Sequence, residues 1–235
     1  MEFKGKEAYF LTPTNKYGLS KVEPRNITED NFTYLTRLTI NWEEMVYGEL
    51  SGEGGIVVKN GMHCGLMAFR DHADDTFIRG CIWAIGPDGN PMLVDKCIEI
   101  KEGHDAVFEL SFTHIKSEKK IITGDRGHYE EGVYEGEIVD YSTSWFWVGC
   151  CNALESCDEN HRNHLLGNVD MVGIFARALE KEEIENIFET NKCLPEHKPV
   201  GFFDFEKQTP YKIYDESKNG NNLVKFDNAW FDNAQ

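Results

Sequence analysis

Short runs of alternating apolar and polar residues recur along the chain, and they restrict its fold more than any other feature. Phe77 to Ile85, Met92 to Ile100 and Ala106 to Ile115 are three of these runs. A period of two is typical of strands that bury one face. Turn residues such as "PDGNP" (Pro87 to Pro91) separate the runs at the spacing of a sandwich. We therefore predict an all-β fold, a two-sheet antiparallel jelly-roll sandwich.

One segment changes from the period of a strand to the period of a helix with no loop between. In "GNVDMVGIFARALEKEEIENIFE" (Gly167 to Glu189), alternating residues lead to Ile174 and Phe175, and a helical pattern follows. The first helical turn is acidic, as the helix dipole favours: Glu180, Glu182 and Glu183. One helical face is apolar: Leu179, Ile184, Ile187 and Phe188. We predict one short helix near residues 181–190, which covers an open end or edge of the core and belongs to no binding site.

The charge of the chain argues against two classes of partner. There are 41 acidic and 24 basic residues, which give a formal net charge of -17. Such a charge repels the phosphates of nucleic acids and the anionic surfaces of membranes. The most apolar stretches, such as Trp145 to Cys150, are also far shorter than the roughly 20 residues that span a bilayer. We expect neither a nucleic-acid partner nor a membrane partner.

The cysteines and the first residues bear on location. Seven cysteines are an odd number, and they are scattered through strand-like runs, which suits reduced thiols better than a disulfide framework. The opening "MEFKGKEAYF" lacks the basic start and apolar core of a signal peptide. We expect a cytoplasmic protein with reduced cysteines, or a module of a longer chain.

Three segments carry a resemblance to a known family. The first is Gly167 to Glu189, with its Val169-Asp170 pair and its Arg177-Ala178-Leu179 triplet. The second is "MEFKGKEAYFLTP" (Met1 to Pro13), and the third is "GFFDFEKQTPYKIYDESKNGNNLVKFDNAWF" (Gly201 to Phe231). Together they resemble the laminin G-like or pentraxin-like domains of the concanavalin A-like lectin/glucanase superfamily. The resemblance implies a jelly-roll sandwich that binds sugars or proteins or cleaves polysaccharides.

The order of these segments is unusual. In many members of the family the segment that resembles Gly201 to Phe231 comes before the opening strand, whereas here it comes last. We expect a single, circularly permuted domain over residues 1–235, in which residues 201–235 return to pair with the N-terminal strand. The alternative is that residues 201–235 begin a second, truncated repeat.

The sequence lacks the catalytic carboxylate pattern of the glycosidases in this superfamily. Glycosidases of this superfamily place carboxylates on one strand in a Glu-x-Asp-x-(x)-Glu pattern, and no such run is present. Asp204 and Glu206 share a strand face, but their segment is structural in the family. We predict a non-catalytic, carbohydrate-binding (lectin-like) module that binds a glycan or polysaccharide, either within or beside a carbohydrate-active, surface or phage protein. The alternatives are a glycosidase or polysaccharide lyase of the same fold, and a protein-interaction or assembly domain.

Sugar binding requires an aromatic platform beside planar polar groups, because a pyranose has an apolar face and a ring of hydroxyls. "YSTSWFWVG" supplies two tryptophans on one strand face, and "GDRGHYEEGVYEGE", interpreted as a long polar loop, supplies aromatic and basic side chains. The predicted ligand-binding residues are Trp145, Trp147, Arg126, His128, Tyr129 and Tyr134.

The sequence contains residue types that bind calcium and residue types that bind zinc. The resemblance implies Ca²⁺ near a loop edge, where carboxylate and amide oxygens are the ligands this ion prefers. The predicted ligands are Asp170, Asp215, Asn219 and Asn221, with Asp71, Asp74 and Asp75 as a further acidic loop. The segment "CCNALESCDENHRNH" (Cys150 to His164) is rich in cysteine and histidine. It lacks the Cys-x2-Cys spacing of structural zinc, so we expect a variable loop there and no zinc.

Overall fold

The computed structural model describes residues 2–4, 9–11, 31–45, 52–59, 64–70, 75–100, 106–139, 146–149, 165–207 and 212–225. The strands of the first half are β1 (Glu2–Lys4), β2 (Tyr9–Leu11), β3 (Phe32–Ile40), β4 (Gly52–Lys59), β5 (Cys64–Arg70), β6 (Thr76–Ile85), β7 (Pro91–Ile100) and β8 (Val107–Ile115). The elements that follow are β9 (Lys120–Asp125), β10 (His128–Val133), β11 (Glu137–Ile138), β12 (Phe146–Val148), β13 (Leu166–Phe175), α1 (Lys181–Thr190), β14 (Pro199–Asp204), β15 (Lys212–Ile213) and β16 (Leu223–Lys225).

These strands form two antiparallel sheets, as the alternating pattern predicted. The first sheet has the order β1-β13-β3-β8-β9-β10, and β14 also pairs with β13. The second sheet has the order β11-β6-β5-β4-β12-β2-β16-β15, and β7 also pairs with β6. In the second sheet, β2 lies between β12 and β16, with Leu11 opposite Leu223. A strand from residues 9–11 is thus the direct neighbour of a strand from residues 223–225.

The core lies between the inner faces of the two sheets. In β3 the alternation of buried residues places Phe32, Tyr34, Leu38 and Ile40 on this inner face. The rings of Phe32 and Tyr34 stack with their centroids 4.8 Å apart. Phe146 on β12 of the second sheet meets Tyr34 edge to face at 5.4 Å, so aromatic contacts join the two layers.

The helix forms where the sequence predicted it, but it covers a different part of the sandwich. Its buried residues are Ile184, Ile187 and Phe188, as expected. They pack on the outer face of the first sheet and not over an open end of the core. The cluster consists of Leu35, Met171, Phe175, Leu179, Ile184, Ile187, Phe188 and Phe202. The reason is that β3, β13 and β14 each present apolar side chains on their outer face as well as their inner face.

Local hydrogen bonds fix both ends of α1. The backbone N–H of Glu180 donates to Oε2 of Glu183 at 2.9 Å, which is half of a capping box. At the other end, Asn191 takes a left-handed conformation with φ of 51°, and its N–H donates to the carbonyl of Ile187 at 2.8 Å. Both ends of the helix are therefore set by hydrogen bonds between residues that are close in the sequence, independently of how the helix packs on the sheet.

One segment that we expected to be a loop is a β-hairpin. Residues 124–137 include the end of β9, all of β10 and the start of β11. The turn consists of Arg126 and Gly127, whose φ angles are 43° and 85°, as in the two-residue turns that hairpins favour. The sequence pattern misled because β10 is a largely solvated strand at the edge of its sheet, with few apolar residues.

The cysteines and the length of the helix are the remaining features of the described residues. Within them, Cys81, Cys97 and Cys193 form no disulfide. Burial, with a smaller effect of Asp215, raises the pKa of Cys193 to about 11. No helix of the described residues is long and apolar enough to cross a membrane. The segment Cys150 to His164, considered above for zinc, lies outside the described residues, as do Asp71 and Asp74.

Candidate functional site

The outer face of the first sheet carries a row of residues that runs from the helix to the β9–β10 hairpin. Leu35 on β3 is opposite Ser111 on β8, Ser111 is opposite Gly124 on β9, and Gly124 is opposite Tyr129 on β10. Directly opposite residues of antiparallel strands point to the same face. Because Leu35 contacts the helix, Tyr129 lies on the same face as the helix and beside the area that it covers.

Gly124 provides the floor for the Tyr129 ring. A Cβ atom at position 124 would lie 2.6 Å from two carbons of that ring and 2.5 Å from Oγ of Ser111. Any larger residue would therefore lift the ring off the sheet. Ser111 is only 3% exposed, while Tyr129 stays half-buried. The result is an aromatic ring that packs against the backbone of Gly124 and still reaches solvent.

The helix supplies a cation to this ring. Nζ of Lys181 lies 5.0 Å from the centroid of Tyr129, a distance typical of a cation–π contact. The same ammonium lies 3.8 Å from Oε1 of Glu185, one turn along the helix. Ile122, two residues before Gly124, adds a half-buried apolar surface on the same face. We call Ser111, Ile122, Gly124, Tyr129 and Lys181 the Tyr129 platform.

Two glutamates of the helix, Glu182 and Glu185, act on the hydroxyl of Tyr129. Burial, with smaller contributions from the carboxylates of Glu185 and Glu182, raises the pKa of Tyr129 to about 12. Both effects disfavour the phenolate, the first by desolvation and the second by repulsion between like charges. The phenol therefore remains a neutral donor and acceptor across the whole physiological range.

Two further predicted residues lie on the same hairpin. Arg126 is exposed in the turn, and its guanidinium donates a hydrogen bond to the carbonyl of Val107. His128 is exposed, with Nε2 3.3 Å from Oε1 of Glu130. Because His128 and Tyr129 are consecutive in a strand, their side chains point to opposite faces. The structure thus brings Arg126, His128 and Tyr129 close in the chain but puts only Tyr129 on the platform face.

The other predicted ligand-binding residues lie elsewhere. Tyr134 is buried, and its hydroxyl lies 2.8 Å from Nε2 of His114, which is 0% exposed. Trp147 on β12 is 5% exposed and pairs with Val58 in the second sheet. A sugar has no access to either ring in this structure. Trp145 lies outside the described residues.

One platform residue, Gly124, has a signal of its role in the sequence. A glycine inside a strand pattern often marks a place where another group approaches the backbone closely, and Gly124 is such a glycine. Lys181 has no comparable signal, because its position over Tyr129 depends on how the helix packs on the sheet. Ser111 has no signal either, because nothing in the sequence shows that it lies between Leu35 and Gly124.

The predicted calcium ligands of the C-terminal loop are engaged with the protein itself. The carboxylate of Asp215 accepts hydrogen bonds from the backbone N–H groups of Phe202, Ser217 and Asn221, at 3.0, 2.9 and 3.1 Å. The side-chain amides of Asn219 and Asn221 donate to the carbonyls of Pro199 and Val200, at 2.6 and 2.7 Å. This is the pattern of an Asx loop that joins β15 to β16.

Asp170 has different surroundings from the loop of Asp215. It is half-buried at an irregularity of β13, where the register with β3 shifts between Val169 and Met171. Burial raises the pKa of Asp170, and so do Glu206 and Asp204, while Arg37 lowers it. Within the described part of the chain, no group of three or more His, Cys, Asp or Glu side chains is arranged to hold a metal ion. Calcium binding therefore stays a prediction.

Tyr129 and Tyr134 give a testable pH dependence. Burial raises the pKa of Tyr134 to about 12, as it does for Tyr129, from an ordinary value of 10.0. A pKa that is higher in the folded state contributes stability below the unfolded value and loses it as the pH rises through the folded value. We expect both tyrosines to ionise near pH 12 by ultraviolet absorbance, and Tyr129→Phe and Tyr134→Phe each to remove one late-titrating group. Ionisation of either near pH 10 in the folded protein would contradict this burial.

Comparison with known proteins identifies the fold. No protein-family model and no curated protein matches the chain. Among solved structures it is similar to a candidate carbohydrate-binding protein from Bacteroides ovatus, with a TM-score of 0.60 and 11% identity over 96% of this chain and 57% of that one. It is also similar to tailspike protein 2 of a bacteriophage of Escherichia coli O157:H7, with a TM-score of 0.55 and 10% identity over 88% of this chain and 26% of that one.

The enzymatically active domain of tailspike protein 2 gives a TM-score of 0.52, at 10% identity over 85% of this chain and 30% of that one. The chain thus spans between about a quarter and three fifths of the length of the proteins it is similar to. At these identities the similarity shows a shared β-sandwich fold, and function has to be argued from the site.

Proposed function

We propose that this chain is a non-catalytic glycan-binding module and that its ligand lies on the Tyr129 platform. The observation that carries the proposal is the half-buried Tyr129 ring, which lies on Gly124 and has the Lys181 ammonium 5.0 Å from its centroid. A flat ring that is fixed in place loses little conformational freedom when the apolar face of a pyranose stacks on it. Lys181 then provides a hydrogen-bond donor for the sugar hydroxyls.

Lys181 is well suited to give way to a ligand. Its side chain is 52% exposed, and its ion pair with Glu185 lies on the helix surface, where such pairs contribute little. In our proposal the sugar ring takes the place of the ammonium above Tyr129, and the lysine turns aside to donate to a hydroxyl. Glu185 stays within reach as an acceptor.

The surroundings of Asp204 support binding without catalysis. Asp204 is 2% exposed, and Oδ1 accepts the N–H of Glu206 at 3.0 Å while Oδ2 lies 3.5 Å from the side-chain amide of Asn191. A carboxylate that is buried and engaged in this way holds the end of β14 in place. It is poorly placed to act as an acid or a nucleophile in glycoside hydrolysis, which requires an accessible pair of carboxyl groups.

The proposal includes a family for this chain, and the fold supports it. We infer that residues 1–235 form one circularly permuted relative of the laminin G-like and pentraxin-like domains. The pairing of β2 with β16 supports this order. The similarity to a candidate carbohydrate-binding protein and to a phage tailspike supports a role as a module within, or beside, a larger carbohydrate-active or surface protein.

The experiment is a glycan array followed by titration of the best ligand, in calcium and then in a chelator. We expect Tyr129→Ala to weaken binding at least about tenfold, which corresponds to about 1.4 kcal/mol. Tyr129→Phe should bind like the wild type if stacking dominates. Tyr214→Ala is the matched control, because Tyr214 is an exposed tyrosine that also has a lysine beside its ring, with Nζ of Lys212 at 4.8 Å.

The outcomes separate the alternatives. Loss of binding in Tyr214→Ala with Tyr129→Ala unaffected would place the ligand elsewhere on the sandwich. Loss of binding in the chelator would favour the calcium prediction at Asp170 or at the loop of Asp215, Asn219 and Asn221. Hydrolysis of an array glycan would favour the glycosidase or lyase alternative, and a stable complex with a protein but no glycan would favour the assembly alternative.

A further inference from the structure

We infer that the Tyr129 platform selects neutral glycans and rejects those that carry carboxylate or sulfate groups, an inference that rests on the proposed function. The platform is bordered by acidic side chains on two sides. Glu182 and Glu185 lie on the helix side and act on the Tyr129 hydroxyl. Glu131 on β10 is directly opposite Ile122 on β9, and it therefore borders the platform on the same face of the sheet.

Lys181 and Lys120, the two lysines that border the platform, each lie beside a carboxylate. Lys181 lies 3.8 Å from Oε1 of Glu185. Lys120, two residues before Ile122 on the same face, lies 2.8 Å from Oε2 of Glu118 and 3.7 Å from Oε2 of Glu131. The hydrogen bond with Glu118 is the main cause of the raised pKa of Lys120. A uronate or sulfate that bound either lysine would therefore lie close to a carboxylate that repels it.

The two remaining basic residues of the hairpin do not change this balance. Arg126 donates to the carbonyl of Val107, and His128 points to the opposite face of the strand, where it meets Glu130. The platform therefore offers hydroxyl groups an ammonium donor and carboxylate acceptors, which form charge-assisted hydrogen bonds. Among the described residues, each cation that borders the platform has a carboxylate beside it, and Glu182, Glu185 and Glu131 add repulsion against an anionic group.

The test compares uncharged polymers with charged derivatives of the same backbone: dextran, galactan and cellulose oligosaccharides against their carboxymethylated or sulfated forms. We expect the wild type to prefer the uncharged form about tenfold or more at low ionic strength. Salt should reduce this preference, because interactions between exposed charges are largely screened beyond roughly 10 Å at about 0.1 M salt. The readout is the ratio of the two dissociation constants as a function of salt.

A charge-removal variant tests the cause. In Glu182→Gln/Glu185→Gln the preference should fall several-fold, because both carboxylates beside Tyr129 are gone. Glu189→Gln is the control, since Glu189 is an exposed residue near the far end of the same helix and makes the same change in charge per site. It should keep the wild-type ratio. Melting curves of the wild type and both variants show that the comparison is made on folded protein.

The selectivity and the proposed function fail in different ways. If the wild type binds charged and uncharged forms equally, and Tyr129→Ala weakens both, the selectivity is overturned and the proposed function stands. If the uncharged form is preferred but the double variant keeps the full preference, the assignment to Glu182 and Glu185 is overturned. If no polymer binds and the array is empty, both inferences are overturned.

Discussion

Phe188→Ala is expected to lower the free energy of unfolding by about 3 kcal/mol, which is within the range for removing a buried phenylalanine. Phe188 is 7% exposed and belongs to the cluster that joins α1 to the outer face of the first sheet. Its ring also lies under the guanidinium of Arg37, with Cζ at 5.8 Å from the centroid, and the same guanidinium donates to its carbonyl. Alanine removes the ring and leaves a cavity beneath the helix. Chemical denaturation measures the loss.

The neighbouring residue gives a matched control for this prediction. Glu189→Ala removes an exposed side chain from the same turn and should change the free energy of unfolding by less than about 0.5 kcal/mol. Glycan affinity of the folded fraction should be preserved in Phe188→Ala, because the ring packs toward the sheet while Lys181, seven residues earlier, faces Tyr129. A variant that kept its stability but lost binding would show that the end of the helix also belongs to the site.

The elements with a strong periodicity could be predicted from the sequence. The helix at Lys181–Thr190 and the strands around Phe77, Met92 and Phe108 lie where the apolar pattern indicated. In each of them one face is buried, so burial leaves a clear period in the sequence. The β10 strand leaves no such period in the sequence, because none of its residues is fully buried. Its sequence therefore has the polar composition of a loop.

The candidate site could be predicted only in part, for a related reason. The sequence predicts Tyr129 as a ligand-binding residue because it lies in a long polar segment with basic and aromatic side chains, and the same argument selects Tyr134. The sequence does not distinguish the two tyrosines, but their surroundings in the structure differ. Tyr134 lies beside the buried His114, whereas Tyr129 packs on a glycine at the surface. Lys181 was assigned to a structural helix, and its second role depends on the packing of the helix against the first sheet.

Gly136→Ala is expected to have the larger effect on folding, because this glycine lies where the chain passes from one sheet to the other. Its φ is 83°, and an added Cβ would lie 1.7 Å from the carbonyl oxygen of Ile85. That carbonyl belongs to the residue opposite Glu137 in the pairing of β11 with β6. A side chain at this position must either shift the backbone or break the pairing. We expect a loss on the order of 3 kcal/mol or more, from a left-handed conformation and a steric clash together.

Gly89→Ala separates these two causes. Gly89 has a similar φ of 80° in the turn between β6 and β7, but an added Cβ there would meet nothing within 4 Å. It should therefore lose only the cost of the left-handed conformation, roughly 1–2 kcal/mol. The difference between the two variants, measured by chemical denaturation, is the cost of the contact with Ile85. Equal losses would show that Gly136 is required for its backbone angle alone. A larger loss at Gly136 would show that the close approach of residue 136 to the carbonyl of Ile85, beside the pairing of β11 with β6, also requires a glycine.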